Sequence, residues 1–211
     1  MSKELVKLVV DLKEQEALDS AAKSLEEGVD PMEIMAFARE GVGMVGEKFK
    51  SGVYFIPELV FSGEIMKGIA KLVEPYLKSG KGDARKRLGK VIIGTVDGDI
   101  HDIGKDIVVF MLDSSGYEVL DLGIDVPKEK FVEAIKETGS RVVGLSGFLT
   151  LAFDSMKETI GAIEEAELRD QVKIMIGGGQ IDEQIMNYTG ADAYGLDAME
   201  AVQLTNEWIG G

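Results

Sequence analysis

Cysteine is absent from the 211-residue chain, and histidine occurs once, as His101. No disulfide, cysteine-ligated iron–sulfur cluster or thiolate zinc site can be built from such a sequence. With a single imidazole, a zinc site would have to be assembled from carboxylates. A soft or borderline metal must therefore arrive in a cofactor that carries most of its own ligands. The chain also lacks any run of about 18 apolar residues, the length that a helical membrane span needs. Positive charge is scarce: 23 Lys and Arg stand against 38 Asp and Glu, a formal net charge of −15. Nucleic acid and anionic membranes are disfavoured as partners, because each phosphate contact requires Lys or Arg. The N-terminus, Met1-Ser-Lys-Glu-Leu-Val-Lys7, is too charged for a secretory signal and already helical in pattern, which gives the expectation of a cytoplasmic protein.

What is present divides into two halves with different periods. Up to about Lys78 the pattern is helical throughout. Leu5, Leu8, Val9 and Leu12 share one spacing, and Leu18, Ala21, Ala22 and Leu25 resume it before Gly28. Asp30-Pro31 is a cap followed by proline at the first helical position. Ile34, Phe37, Val42, Val45 and Phe49 mark the face of a long helix ending near Ser51-Gly52. After Val53-Tyr-Phe-Ile-Pro57 a fourth helix carries Leu59, Val60, Met66, Ile69, Val73 and Leu77. These residues predict a small up-and-down four-helix bundle, domain 1–78. Residues 79–89 are polar, glycine-containing and locally basic, the composition of a linker.

From residue 90 to 211, β-rich runs alternate with helices. The strands expected are Val91–Thr95, Glu118–Leu122, Val142–Ser146, Lys173–Ile176 and Ala193–Tyr194. Five βα units in succession predict an open, doubly wound parallel sheet, and five strands favour the flavodoxin-like order 2-1-3-4-5. In that order strands 1, 3 and 4 are neighbours, and ligands bind beyond their C-terminal ends. Three loops meet there. The first, Asp97-Gly-Asp-Ile-His-Asp-Ile-Gly104, has the parts of an oriented metal ligand: an imidazole nitrogen on His101 and a carboxylate, Asp99, two residues away to fix its tautomer. The second is Gly144-Leu-Ser-Gly-Phe-Leu-Thr150, and the third is Ile176-Gly-Gly-Gly-Gln180. Each signal alone reads as an ordinary turn, and no nucleotide-binding glycine fingerprint is present.

Taken together, Asp99/His101/Gly104 (D-x-H-x-x-G), the Ser146 loop and the Gly177-Gly178 pair resemble the signature of cobalamin-binding proteins in which histidine replaces the cofactor's own lower ligand. The spacings agree: 42 positions from Gly104 to Ser146 and 31 from Ser146 to Gly177. Phe49-Lys-Ser-Gly-Val-Tyr-Phe-Ile-Pro-Glu-Leu59 resembles the F-x-x-G-x-x-[FY]-[LI]-P-E-L segment of the helical cap in methyl-transferring members. Nearly the whole chain is thus similar to the stand-alone corrinoid proteins of multi-component methyltransferase systems, those serving methanol, methylamines or methoxylated aromatics.

The resemblance implies a role for each matched residue. His101 is expected to coordinate cobalt from below, with the dimethylbenzimidazole tail drawn off into a slot. Asp99 is expected to accept a hydrogen bond from the other ring nitrogen, and Gly104 to let the tail pass close to a helix start. Ser146 is expected beside the buried benzimidazole, and Gly177 and Gly178 along the far wall of the slot. Ile100, Asp102, Phe148, Leu149 and Thr150 belong to the same cofactor-binding loops, and Phe49 and Ile56 are expected to cover the methyl-bearing face. Two positions depart from the family. A serine or threonine that extends the Asp–His relay in several relatives is Ala152 here, so the relay ends at Asp99, in water or at another residue. Phe148 stands where the serine loop usually has leucine, and is expected to reshape the tail slot. The function implied is a non-catalytic methyl carrier, cycling between methyl-Co(III) and Co(I), that works with a substrate-specific methyltransferase, a second methyltransferase and a reductive activase. The alternatives are a cobalamin-binding subunit of a mutase and a cobalamin-dependent sensor acting through protein contacts.

Overall fold

The computed structural model describes residues 2–79 and 87–209. The chain divides into two compact units, Met1–Lys86 and Arg87–Gly211, each with its own core.

The first unit holds four helices: α1 (Ser2–Val10), α2 (Glu14–Glu26), α3 (Pro31–Lys50) and α4 (Ile56–Ser79). The start of α3 is set locally. The Asp30 carboxylate accepts from the Met32 amide at 2.8 Å, and Pro31 supplies a fixed φ where no backbone donor is needed. Along α3, Ile34, Ala38, Val42 and Val45 are buried as one stripe. Within the unit α3 packs against both α1 and α4. The break before α4 is also pinned: the Tyr54 hydroxyl donates to the Val10 carbonyl at 2.9 Å, and the Glu58 carboxylate accepts from the Phe55 amide at 2.9 Å.

The second unit alternates β1 (Lys90–Thr95), α5 (Ile103–Ser114), β2 (Glu118–Asp121), α6 (Lys128–Thr138), β3 (Val142–Ser146), α7 (Ala152–Glu165), β4 (Lys173–Gly177), α8 (Glu183–Thr189), β5 (Ala193–Gly195) and α9 (Ala198–Ile209). The sheet is parallel, in the expected order β2-β1-β3-β4-β5. Its central strands are covered on both faces and therefore read as continuous apolar runs, such as Val91-Ile-Ile93 and Ile174-Met-Ile176. Helices α5 and α9 pack together, as do α6, α7 and α8 in sequence. Ile92, Phe131, Val143, Leu145, Met156, Ile163, Ile174 and Ile176 form one buried cluster. Burying each such side chain is worth roughly 1.5–3 kcal/mol.

Of the linker expected over 79–89, residues 80–86 lie outside the described residues. Its last three residues are attached to the α/β unit. Arg87 bonds to the Asp113 carboxylate at 2.9 Å and the Tyr117 carbonyl at 2.6 Å, the Leu88 amide donates to Gly116 at 3.1 Å, and the Gly89 carbonyl accepts from Glu118 at 2.9 Å. Among the described residues no helix is long and apolar enough to cross a membrane.

At the opposite edge of the sheet Asp192 holds β4 in place. Its carboxylate accepts from the Ile174 amide at 2.8 Å and pairs with Arg169 at 2.9 Å and Lys173 at 3.0 Å. Burial alone would raise its pKa, but the amide, Lys173 and Arg169 outweigh that and hold it below the usual carboxylate range. A carboxyl whose folded pKa lies below its unfolded value stabilises fully above about pH 4 and loses that contribution as pH falls through the folded value. Asp192→Asn should therefore cost about 1–3 kcal/mol at pH 7 in denaturant unfolding, and the gap to the parent should shrink as the pH drops below about 4. An equal gap at pH 7 and pH 3 would contradict this role.

Candidate functional site

The strand register brings four small residues into one row at the C-terminal edge of the sheet. Thr95 pairs with Ser146, Ser146 with Gly177, and Gly177 with Gly195. Beyond β1 the chain turns at once, with the Asp99 amide donating to the Val96 carbonyl at 3.1 Å, and enters the loop carrying His101.

Asp99 is fully buried, and four donors surround its carboxylate. Oδ1 accepts from the His101 backbone amide at 3.0 Å and faces His101 Nδ1 at 2.7 Å. Oδ2 accepts from the backbone amides of Phe148 at 2.6 Å and Leu149 at 2.9 Å. Burial alone would raise this pKa. The amides of Leu149, His101 and Phe148, with the imidazole, overcome the burial and hold the carboxyl well below its ordinary range. An ionised carboxylate only accepts, so it selects the tautomer with hydrogen on Nδ1 and leaves the lone pair on Nε2 for a metal. The buried Thr95 hydroxyl donates to the His101 carbonyl at 3.0 Å, which holds the same residue from its backbone side. The imidazole itself is about half exposed, at 49%.

Lys105, in the first turn of α5, is buried and bonds to Asp106 and Asp121, each at 2.6 Å. A cation at a helix N-terminus opposes the helix dipole. Burial too acts to lower its pKa, but the two carboxylates outweigh it and favour the charged form. They also clamp the start of α5 to the end of β2.

At the position where several relatives have a hydroxyl, Ala152 is buried against Gly147, and Asp99 Oδ2 accepts from the backbone amides of Phe148 and Leu149. Phe148 lies with its ring centroid 4.6 Å from that of His101, so the phenylalanine at the usual leucine position flanks the imidazole as well as its own loop.

The glycines differ in why they are glycine. At Gly178, φ is +147° and a Cβ would stand 1.7 Å from the Gly147 carbonyl oxygen, so loop–loop packing demands glycine there. At Gly104 a Cβ would meet nothing of the protein within 4 Å. Nothing in the fold requires glycine at that position, which fits close approach by a group that is not protein.

The remaining expected residues fall as follows. Ser146 is half-buried at the end of β3, and Thr150 is exposed in the loop before α7. Ile100 and Leu149 are exposed apolar residues, and Asp102 is exposed at the N-cap position of α5 without a side-chain cap bond. Phe49 and Ile56 belong to the first unit, Phe49 half-buried on α3 and Ile56 exposed where α4 opens. Exposed apolar residues at this edge outside the sequence-based set include Ile124 in the β2–α6 loop, and Ile103, Leu151 and Leu196, each at or just before the start of a helix. Their signal is an apolar side chain in a polar loop, off any helical stripe. Among the described residues no group of three His, Cys, Asp or Glu could hold a metal ion. One imidazole beside an apolar, glycine-lined edge fits a metal held in a large organic ring.

Residues 89–203 match the B12 binding domain family, and residues 1–74 match a second family of the same description. A trimethylamine corrinoid protein of Methanosarcina acetivorans is 37% identical over 195 residues, which cover 92% of this chain and 90% of that protein. A cobalamin-binding protein from Desulfitobacterium hafniense superposes with a TM-score of 0.85 at 37% identity, over 99% of this chain and 98% of that one. A chain of the methanol:cobalamin methyltransferase complex from Methanosarcina barkeri gives 0.82 at 26% identity, over 98% and 78%. Fold and site together define a cobalamin-binding α/β domain preceded by a helical unit. The chain belongs to the corrinoid proteins built from these two domains, and its cofactor is cobalamin.

The two glycines separate folding from binding. Gly104→Ala should leave the apo protein as stable as the parent, or more stable by up to about 1 kcal/mol through helix propensity, while weakening cobalamin binding. Gly178→Ala should lower the melting temperature of the apo protein. Equal effects of both on apo stability would contradict the assignment.

Proposed function

We propose that this protein is a methyl carrier that binds cobalamin with His101 in place of the cofactor's own benzimidazole. It passes a methyl group between a substrate-specific methyltransferase and a second methyltransferase. The relatives' systems, trimethylamine and methanol, suggest a small methylated amine or alcohol as the donor. A reductive activase is a further partner, and the chain performs no donor chemistry by itself. When bound, the corrinoid would supply a cobalt able to accept and release a methyl group.

The protein's own contribution is narrow. Asp99 holds the Nδ1 proton, so that Nε2 is always the nitrogen offered to the metal, and the negative carboxylate strengthens imidazole as a donor. Thr95 fixes the His101 backbone, and Ser146, Gly177 and Gly178 are the residues we assign to the tail slot. Phe49 and Ile56 are assigned, as the resemblance implies, to protection of the methyl group. The observation that carries this reading is the buried Asp99 carboxylate at 2.7 Å from the Nδ1 of the chain's one histidine.

Electron paramagnetic resonance of the Co(II) protein, prepared with 15N-labelled histidine, tests it. The expected spectrum shows hyperfine splitting from the label. His101→Ala should still take up cobalamin and should lose that splitting. Splitting from the cofactor's benzimidazole in the parent would overturn the reading.

A further inference from the structure

The loop that presents His101 is held at a third place, by a residue with no contact to the imidazole. Asp125 lies in the β2–α6 loop with φ of +52°, one of only three non-glycine residues with positive φ among those described. Its Oδ1 accepts from the Gly98 amide at 2.8 Å, and its own amide donates to the Asp99 carbonyl at 2.9 Å. The two bonds grip the two residues in the turn leading to the metal ligand, one on either side of the Gly98–Asp99 peptide. Both bonds come from one residue that holds a left-handed backbone conformation. Neighbouring bonds build the frame around this grip. The Val126 amide donates to the Thr95 carbonyl at 3.0 Å, and the Thr95 amide donates to the Gly123 carbonyl at 2.9 Å. Gly98 is itself left-handed, with φ of +79°. An αL residue followed closely by a buried charged one has no helix or strand ladder of its own to keep it in place.

We propose that Asp125 is a positioning residue for the cobalt ligand: it fixes the peptide between Gly98 and Asp99, so that the Asp99 carboxylate meets the His101 imidazole before cofactor arrives. The inference rests on His101 ligation as read above. It adds that the direction of the imidazole is set from the β2 side of the sheet as well as from the β3 loop. An asparagine can adopt the left-handed conformation and offer Gly98 the same acceptor oxygen. A glycine adopts the conformation without steric cost and keeps the backbone amide that bonds to Asp99, but offers Gly98 no acceptor. The pair thus separates the side-chain bond from the backbone shape.

The experiment compares parent, Asp125→Asn and Asp125→Gly, each loaded with cobalamin and carrying 15N-labelled histidine, by electron paramagnetic resonance of Co(II). Apo melting temperatures are measured alongside, and glycine is expected to fold, because residue 125 is exposed and its backbone suits glycine. The expected result is labelled-histidine splitting from all cobalt in the parent and in Asp125→Asn, and loss of that splitting from part of the cobalt in Asp125→Gly. Recovery of full splitting with asparagine shows that the bond, not the charge, does the positioning. Full histidine splitting in Asp125→Gly would overturn the proposal while leaving the ligand assignment intact. A parent without histidine splitting would instead overturn the reading on which it rests.

Discussion

A single buried carboxylate ties the site together. Asp99 has no solvent to stabilise its charge, and leaving a buried carboxylate unmatched would cost several kcal/mol. It is matched by two donors from its own loop and two amides from a loop 49 and 50 residues further on. The β1 and β3 loops therefore cannot move independently. Pulling either away exposes an anion with too few partners, so the imidazole keeps its direction in the apo state.

The parallel sheet makes that tie possible. With β1 beside β3, their C-terminal ends meet where one connection leaves toward α5 and the other toward α7. Such a switch point opens a crevice without any distortion of the strands. Across it the row Thr95, Ser146, Gly177 and Gly195 carries little side-chain volume, while Ile100, Ile103, Leu151 and Leu196 stand exposed at the edge. A polar anchor for one ring nitrogen, an open sheet end and apolar rims suit a large ring that brings its own metal ligands. Lys105 adds rigidity from below by clamping α5 to β2.

Much of this was legible in the sequence because it is local. The strand order followed from five alternating βα units, and the Asp99–His101 pair from two residues two positions apart. The partners of Asp99 Oδ2 were not legible, since they are backbone amides whose identity leaves no trace in side-chain type. The sequence showed that Ala152 lacks a hydroxyl, but not that two backbone amides occupy Asp99 Oδ2. The glycines were equally opaque: Gly104 and Gly178 look alike in sequence, and only the space around each tells that one is required by the fold and the other is not. Phe148 was placed by its loop but not by its neighbour, because a contact with His101 depends on how far the two loops are drawn together. The span 79–89 looked uniformly like linker, yet Arg87, Leu88 and Gly89 bond to α5, to the turn after it and to the start of β2.

The central claim is that Asp99 sets the tautomer of His101 before any cofactor binds. The sequence makes this unusually easy to measure, since one histidine gives one imidazole in a 15N-histidine-labelled sample. Long-range 1H–15N correlation spectra of the apo protein at mildly alkaline pH report which ring nitrogen carries the proton. The account predicts a single species with hydrogen on Nδ1 and a free lone pair on Nε2. A proton on Nε2, or the averaged pattern of an imidazole exchanging between tautomers, would contradict it.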